Sequence, residues 1–132
     1  MMINNALDEK VWAVVGATNR KNKFGWKIYN RLVKVGYKVY PVNPGIDEID
    51  GVKCYNSIEE LPEVPSVVDV VVAEKFGVEV VKMAKKIGVK YVWLQPGADK
   101  PLVLQTAKEL GVNVIQGCAL IEAHNGPLNK EA

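Results

Sequence analysis

Five runs of apolar, mostly β-branched residues punctuate the chain: Val11–Val15, Tyr37–Val42, Val67–Val72, Tyr91–Leu94 and Asn113–Ile115. Most are apolar at consecutive rather than alternate positions, the pattern of strands covered on both faces. Between them the period changes to that of a helix. Gly25 to Val35 places Ile28, Tyr29, Leu32 and Val33 on one face. Phe76 to Ile87 does the same with Val80, Met83, Ala84 and Ile87, and stops at Gly88. Pro101 to Leu110 opens on a proline, which the first helical turn tolerates, and closes at Gly111. Ser57-Ile58-Glu59-Glu60 resembles a capping box and predicts a short helix from Ser57. Residues after His124 read as a frayed tail.

Strands alternating with helices predict βαβ units and a parallel sheet with right-handed crossovers, an α/β fold. Ligands of such sheets bind beyond the carboxyl ends of the strands, at the switch point. Four segments meet that condition: Gly16-Ala17-Thr18, Val42-Asn43-Pro44, Val72-Ala73-Glu74-Lys75 and Gln95-Pro96-Gly97. They lie far apart in sequence and would converge at one edge of the sheet.

The length of 132 residues predicts one domain with a real core. No apolar run approaches a membrane span. The first ten residues lack a basic start and a long apolar stretch, so no signal peptide is expected. The two cysteines, Cys54 and Cys118, have neither metal-ligand spacing nor the look of a disulfide framework, which predicts a reducing cytoplasm. A net charge of +2 is too small to argue for nucleic acid, but its distribution is uneven. Lys10 to Ile46 carries eight basic residues and no carboxylate, so it contributes +8 and the remainder −6.

That basic segment holds an apolar strand breaking into Gly16-Ala17-Thr18, then Arg20, Lys21, Lys23, Gly25 and Trp26. A glycine turn, a helix start and clustered cations suit a phosphate. A solvated basic loop is the plainer alternative. A site of the NAD type wants an acid near the end of the second strand to accept from the ribose 2′-hydroxyl. Here that place reads Val39-Tyr40-Pro41-Val42-Asn43-Pro44, so NAD is disfavoured and a ligand with an extra ribose phosphate is favoured. Pro41 to Gly45 forms either a stiff lip for an adenine or simply a rigid turn. Gln95 either meets a ligand amide or hydroxyl or satisfies the backbone, and the second use is the commoner. Cys118, with Glu122 and His124 nearby, suggests a thiol nucleophile, against the usual fate of a lone cysteine as a small buried hydrophobe. Walker A, G-x-S-x-G and H-E-x-x-H motifs are missing.

Several of these segments together resemble the small single-domain CoA-binding proteins, whose domain is similar to the CoA-binding domain of the succinyl-CoA synthetase alpha subunit. The resemblance runs from about Val11 to His124. It rests on Val15-Gly16-Ala17-Thr18, Val39 to Pro44, Tyr55 to Pro62, Val68-Asp69-Val70-Val71-Val72, Val92 to Gly97 and Cys118 to Glu122. It implies a Rossmann-like sheet of five parallel strands in order 3-2-1-4-5, with coenzyme A or an acyl-CoA at the switch point. Gly16, Ala17, Thr18 and Gly25 would then hold the pyrophosphate, with Lys23, or Arg20 or Lys21, on the phosphates. Trp26 belongs to the same loop. Val42, Asn43 and Pro44 would surround the adenosine, Val72 and Ala73 would flank the nucleotide or pantetheine, and Gln95, Pro96 and Gly97 would line the far side. The chain departs from the family pattern at its loop after Thr18, at Ala73-Glu74-Lys75 and at Gln116-Gly117, and Glu74 beside a phosphate would be unfavourable.

The expected function is a non-catalytic sensor, carrier or accessory module that grips the 3′-phospho-ADP part of CoA. The competing expectation is a small NADP-linked oxidoreductase using the same basic loop. Neither nucleic acid nor a membrane is an expected partner, no metal or catalytic residue is assigned, and a homo-oligomer or a partner enzyme stays open.

Overall fold

The computed structural model describes residues 2–123. In chain order the elements are α1 (Met2–Leu7), β1 (Val11–Val15), α2 (Phe24–Lys34), β2 (Lys38–Val42), β3 (Glu48–Ile49), β4 (Val52–Lys53), a 3-10 turn (Ile58–Glu60), β5 (Val67–Val70), α3 (Glu74–Ile87), β6 (Tyr91–Leu94), α4 (Pro101–Leu110), β7 (Val114–Gln116) and α5 (Ala119–Glu122). Five strands form one sheet, and every pairing in it is parallel.

The sheet order is β2-β1-β5-β6-β7. Counted by the five predicted strands this is 2-1-3-4-5, which corrects the expected 3-2-1-4-5. The reason lies in the strands themselves. All four residues of β5 are buried beneath a layer on each face, and β5 pairs with β1 on one side and β6 on the other. At the end of the sheet stands β2, with exposed Lys38 and with Pro41, which has no N–H to offer a further strand. Its outer side is covered instead by Tyr55, which donates to the Pro41 carbonyl and accepts from the Asn43 N–H.

Alternate residues of the strands feed two cores. On one face Trp12, Val14, Val67 and Trp93 pack under α2 and α5 with Ile28, Tyr29 and Leu32. Trp12 meets Tyr37 at 5.0 Å and Trp93 at 5.5 Å between ring centroids. Their polar edges are satisfied by main chain: Trp12 Nε1 donates to Glu9, Trp93 Nε1 to Gly117 and the Tyr37 hydroxyl to Leu7. On the other face Ala13, Val15, Val68, Val70, Val92 and Leu94 pack under α3 and α4. Helices therefore cover both faces of a Rossmann-like sheet.

The helices differ from expectation in detail. Val33 is exposed rather than core-facing. Ser57 starts a 3-10 turn and makes no side-chain cap, so the capping box is not formed. Glu74 opens α3 and accepts a hydrogen bond from the Leu102 N–H at 3.2 Å, which caps α4 and answers the concern that it faced a phosphate. The β3–β4 hairpin and helices α1 and α5 carry no periodic signal because each is shorter than two turns or three strand residues.

Candidate functional site

The carboxyl ends of β1, β2 and β5 meet at one edge, and the turn after β1 organises them. Gly16 has φ +102°, and a Cβ there would strike the Val71 carbonyl. A Cβ on Gly25, at the start of α2, would strike the carbonyl of Gly16. The two glycines thus let the helix start dock onto the turn, main chain against main chain. Gly16 N–H donates to the Val42 carbonyl at 2.9 Å, and Asn43 Nδ2 donates to the Ala17 carbonyl at 2.9 Å. Asn43 Oδ1 in turn accepts from the Gly45 N–H. The Asn43 amide is therefore committed to joining the first and second loops.

Beside this joint lies a cleft of about 390 Å³. Val15, Gly16, Val42, Asn43 and Pro44 form its inner wall; Asn56, Ser57 and Ile58, with Phe76, Val80 and Met83 of α3, form the outer one. A second notch of about 250 Å³ lies further along the edge, between Val71-Val72-Ala73 and Gln95-Pro96-Gly97-Ala98. Val72 borders both hollows. The structure brings Gly16, Val42, Asn43, Pro44 and Val72 together in the cleft, and Val72, Ala73, Gln95, Pro96 and Gly97 in the notch.

The other expected residues lie outside both hollows. Ala17 and Gly25 are buried beneath the joint, contributing main chain. Thr18 Oγ1 accepts from the Arg20 N–H and so shapes the loop. Arg20 and Lys23 are exposed. Trp26 is half-buried, donates to Asp50 at 3.1 Å and carries the Lys21 ammonium over its ring at 5.6 Å. Helix α2 begins without an acidic residue in its first turn and without a side-chain cap, which leaves the positive end of its dipole uncompensated.

Gln95 is buried and bonded at both ends of its amide: Nε2 donates to Asp69 Oδ1 at 2.7 Å, and Oε1 accepts from the Ala119 N–H at 3.2 Å. Of its two expected uses, the backbone one is realised. Asp69 is inaccessible to solvent, and its Oδ2 has no hydrogen-bond partner among the described residues. Burial pushes its carboxyl up from the ordinary 3.8 to about 7, against the opposing hydrogen bond from Gln95. Cys118 is a half-buried free thiol preceding α5, and Cys54 is a buried one whose pKa burial raises. His124 lies outside the described residues. Among the described residues no group of His, Cys, Asp or Glu is placed to hold a metal, and no helix is long and apolar enough to cross a membrane.

The cleft's outer wall escaped sequence reading. Phe76, Val80 and Met83 are apolar at helical spacing, and periodicity does not separate a cleft-facing position from a core-facing one. Asp69 was legible as an acid within an apolar strand run, an unusual place for one.

A parallel Rossmann-like sheet with hollows at its switch-point edge defines a class of α/β domains that take ligands there. The sequence matches the family described as CoA binding domain over residues 10–124, and the chain belongs to that family. Its relatives include parts of CoA ligases. The alpha subunit of an ADP-forming acetate–CoA ligase II of Pyrococcus furiosus is 38% identical over 61% of this chain, but the match spans only 18% of that subunit. The Bacillus subtilis protein YneT is 30% identical over 85% of this chain and 83% of its own. A solved structure from Pyrococcus horikoshii OT3, 34% identical, superposes with a TM-score of 0.86 over 92% of this chain and 87% of the other.

Two outcomes follow from this geometry. Gly25→Ala, ordinarily stabilising in a helix, should here cost about 2–4 kcal/mol, because α2 must back away from the turn; chemical denaturation reads it, and an unchanged midpoint would show the joint to be slack. The raised Asp69 pKa means that the folded chain holds a proton which the unfolded chain releases near 3.8. That stabilisation is complete below this value and is lost as pH rises towards about 7. Wild-type stability should therefore fall relative to Asp69→Asn across that window, by up to roughly 4 kcal/mol in total, and parallel curves for the two proteins would contradict the assignment.

Proposed function

We propose that the chain binds coenzyme A or an acyl-CoA through its 3′-phospho-ADP part, as a non-catalytic sensor, carrier or accessory module. The observation that carries this reading is the junction of three features at one edge. They are the glycine joint Gly16/Gly25, the uncapped start of α2 beside Arg20, Lys21 and Lys23, and the apolar cleft walled by Val42, Pro44 and Val72. Helix-start N–H groups and cations suit phosphates. An apolar slot suits a flat base. In this reading Gly16, Ala17, Thr18 and Gly25 supply main chain to the pyrophosphate and Arg20 and Lys23 reach its phosphates. Trp26 steadies the basic loop through Asp50 and Lys21. Ala73, Pro96 and Gly97 border the path of the pantetheine, and Gln95 acts by holding that border rather than by touching the ligand.

Membership of the CoA-binding family supports the ligand. The ligase relatives support a role beside a catalytic partner, most naturally in the cytoplasm.

Calorimetric titration with CoA, NAD and NADP at matched salt tests the reading. CoA alone should bind tightly. Arg20→Glu with Lys23→Glu should weaken it about 100-fold, as expected for two charge-assisted contacts. Binding of NADP in place of CoA would favour the oxidoreductase, and CoA binding untouched by the double reversal would move the phosphate site elsewhere.

A further inference from the structure

A carboxyl group sealed in a core with one oxygen unpartnered is costly. Asp69 sits in the middle of the sheet, with Val14 of β1 and Trp93 of β6 as its register partners. Gln95, its one hydrogen-bond partner among the described residues, passes the connection on to the N–H of Ala119. Three strongly spaced segments are thereby tied in series: β5, the end of β6 and the first residue of α5. The turn from Gly117 to Leu120 is otherwise held by Trp93 Nε1 on the Gly117 carbonyl, by the Gly117 N–H on Leu94 and by Arg31 on the Leu120 carbonyl. Gln95 also walls the notch, as does Val71, just past the end of β5 and two residues beyond Asp69. The residue that holds the Asp69 carboxyl is thus itself part of the notch wall.

We infer that Asp69 is a proton-sensitive positioning residue: through Gln95 it sets the Gly117–Leu120 turn, and loss of its proton loosens that turn and the wall of the notch. While the carboxyl is neutral the chain of hydrogen bonds closes over it. Once ionised it is a buried charge with one donor and needs a second. The flanking strands offer Val14 and Trp93, neither of them a side chain placed to supply one. The titratable and charged groups around this core are Lys27, Tyr29, Arg31 and Lys34 of α2, Tyr37 and Cys54 from the connecting segments, Glu122 of α5 and Cys118 just before it. None is hydrogen-bonded to Asp69. Water entering past Gln95 is the way to satisfy the charge, and it competes for the amide that holds Ala119.

The test needs no ligand. The Asp69 side-chain carboxyl and the Ala119 and Gly117 amides are followed by NMR on the whole chain from about pH 5 to about pH 8.5. All three signals should move together with one midpoint near 7. In Asp69→Asn the amides should stay flat. In Gln95→Leu the carboxyl should still titrate, at a higher pH, while Ala119 no longer follows it. A carboxyl that titrates at the ordinary carboxylate value, or amides that ignore it, would overturn the inference. The link to the notch rests on the proposed ligand reading and is measured separately, as CoA affinity over the same pH range. An affinity that changes in wild type and not in Asp69→Asn is expected. Failure of CoA to bind at any pH would sink the ligand reading and leave the NMR result standing.

Discussion

The missing side chains of Gly16 and Gly25 let two stretches of main chain approach more closely than any other residue pair would permit, and the rest of the edge is arranged around that approach. It places the start of α2 against the end of β1. The Gly16 N–H then reaches Val42, and Asn43 reaches back to Ala17, so that the first and second strand ends become one rigid rim. The opposite wall of the cleft is mainly apolar, from Ile58 and from Phe76, Val80 and Met83 of α3, with Asn56, Ser57 and Glu79 also lining it. Helix α2 starts without a side-chain cap and with no acid in its first turn, so the positive end of its dipole is uncompensated at this edge.

The sheet imposes a second constraint. β5 lies between β1 and β6 and is buried throughout. Its central position puts Asp69 where no solvent reaches it, and Gln95, just past the end of the neighbouring strand β6, is the group that makes this tolerable. The aromatic cluster of Trp12, Tyr37 and Trp93 fills the same face, each ring with its polar edge bonded to main chain. The fully buried residues of the opposite face are aliphatic, built from Val, Leu, Ile and Ala, with Tyr40 and Tyr55 packed at its margin. The buried indole rings and the Asp69–Gln95 pair lie on the side that also carries α5 and Cys118.

Much of the architecture was legible beforehand. Val11–Val15, Tyr91–Leu94 and Pro101–Leu110 fall where their patterns place them, and α3 and α4 end at Gly88 and Gly111 as read. The sheet edge drew together the four segments singled out by the switch-point rule. The strand order was misplaced even though Lys38 and Pro41 marked β2 as an edge. Consecutive apolar residues report that a strand is covered on both faces, not which strand lies beside it. Asn43 and Gln95 were both named as site residues, yet each spends its amide on main chain or on Asp69, which a sequence does not display because the partners lie 24 to 26 residues away.

Sequence by itself determined the class of fold, the segments that meet at one edge of the sheet, the basic character of the first loop and the absence of an acid from the end of the second strand. Those properties depend on local periodicity, turn chemistry and charge, which a chain carries residue by residue. Tertiary structure alone decided the order of the strands, the division of the edge into an apolar cleft and a separate notch, and the exposure of Arg20 and Lys23 beside rather than inside them. It also decided the burial of Asp69 against Gln95. These depend on which surfaces meet across long sequence separations, where packing and desolvation, rather than local preference, set the outcome.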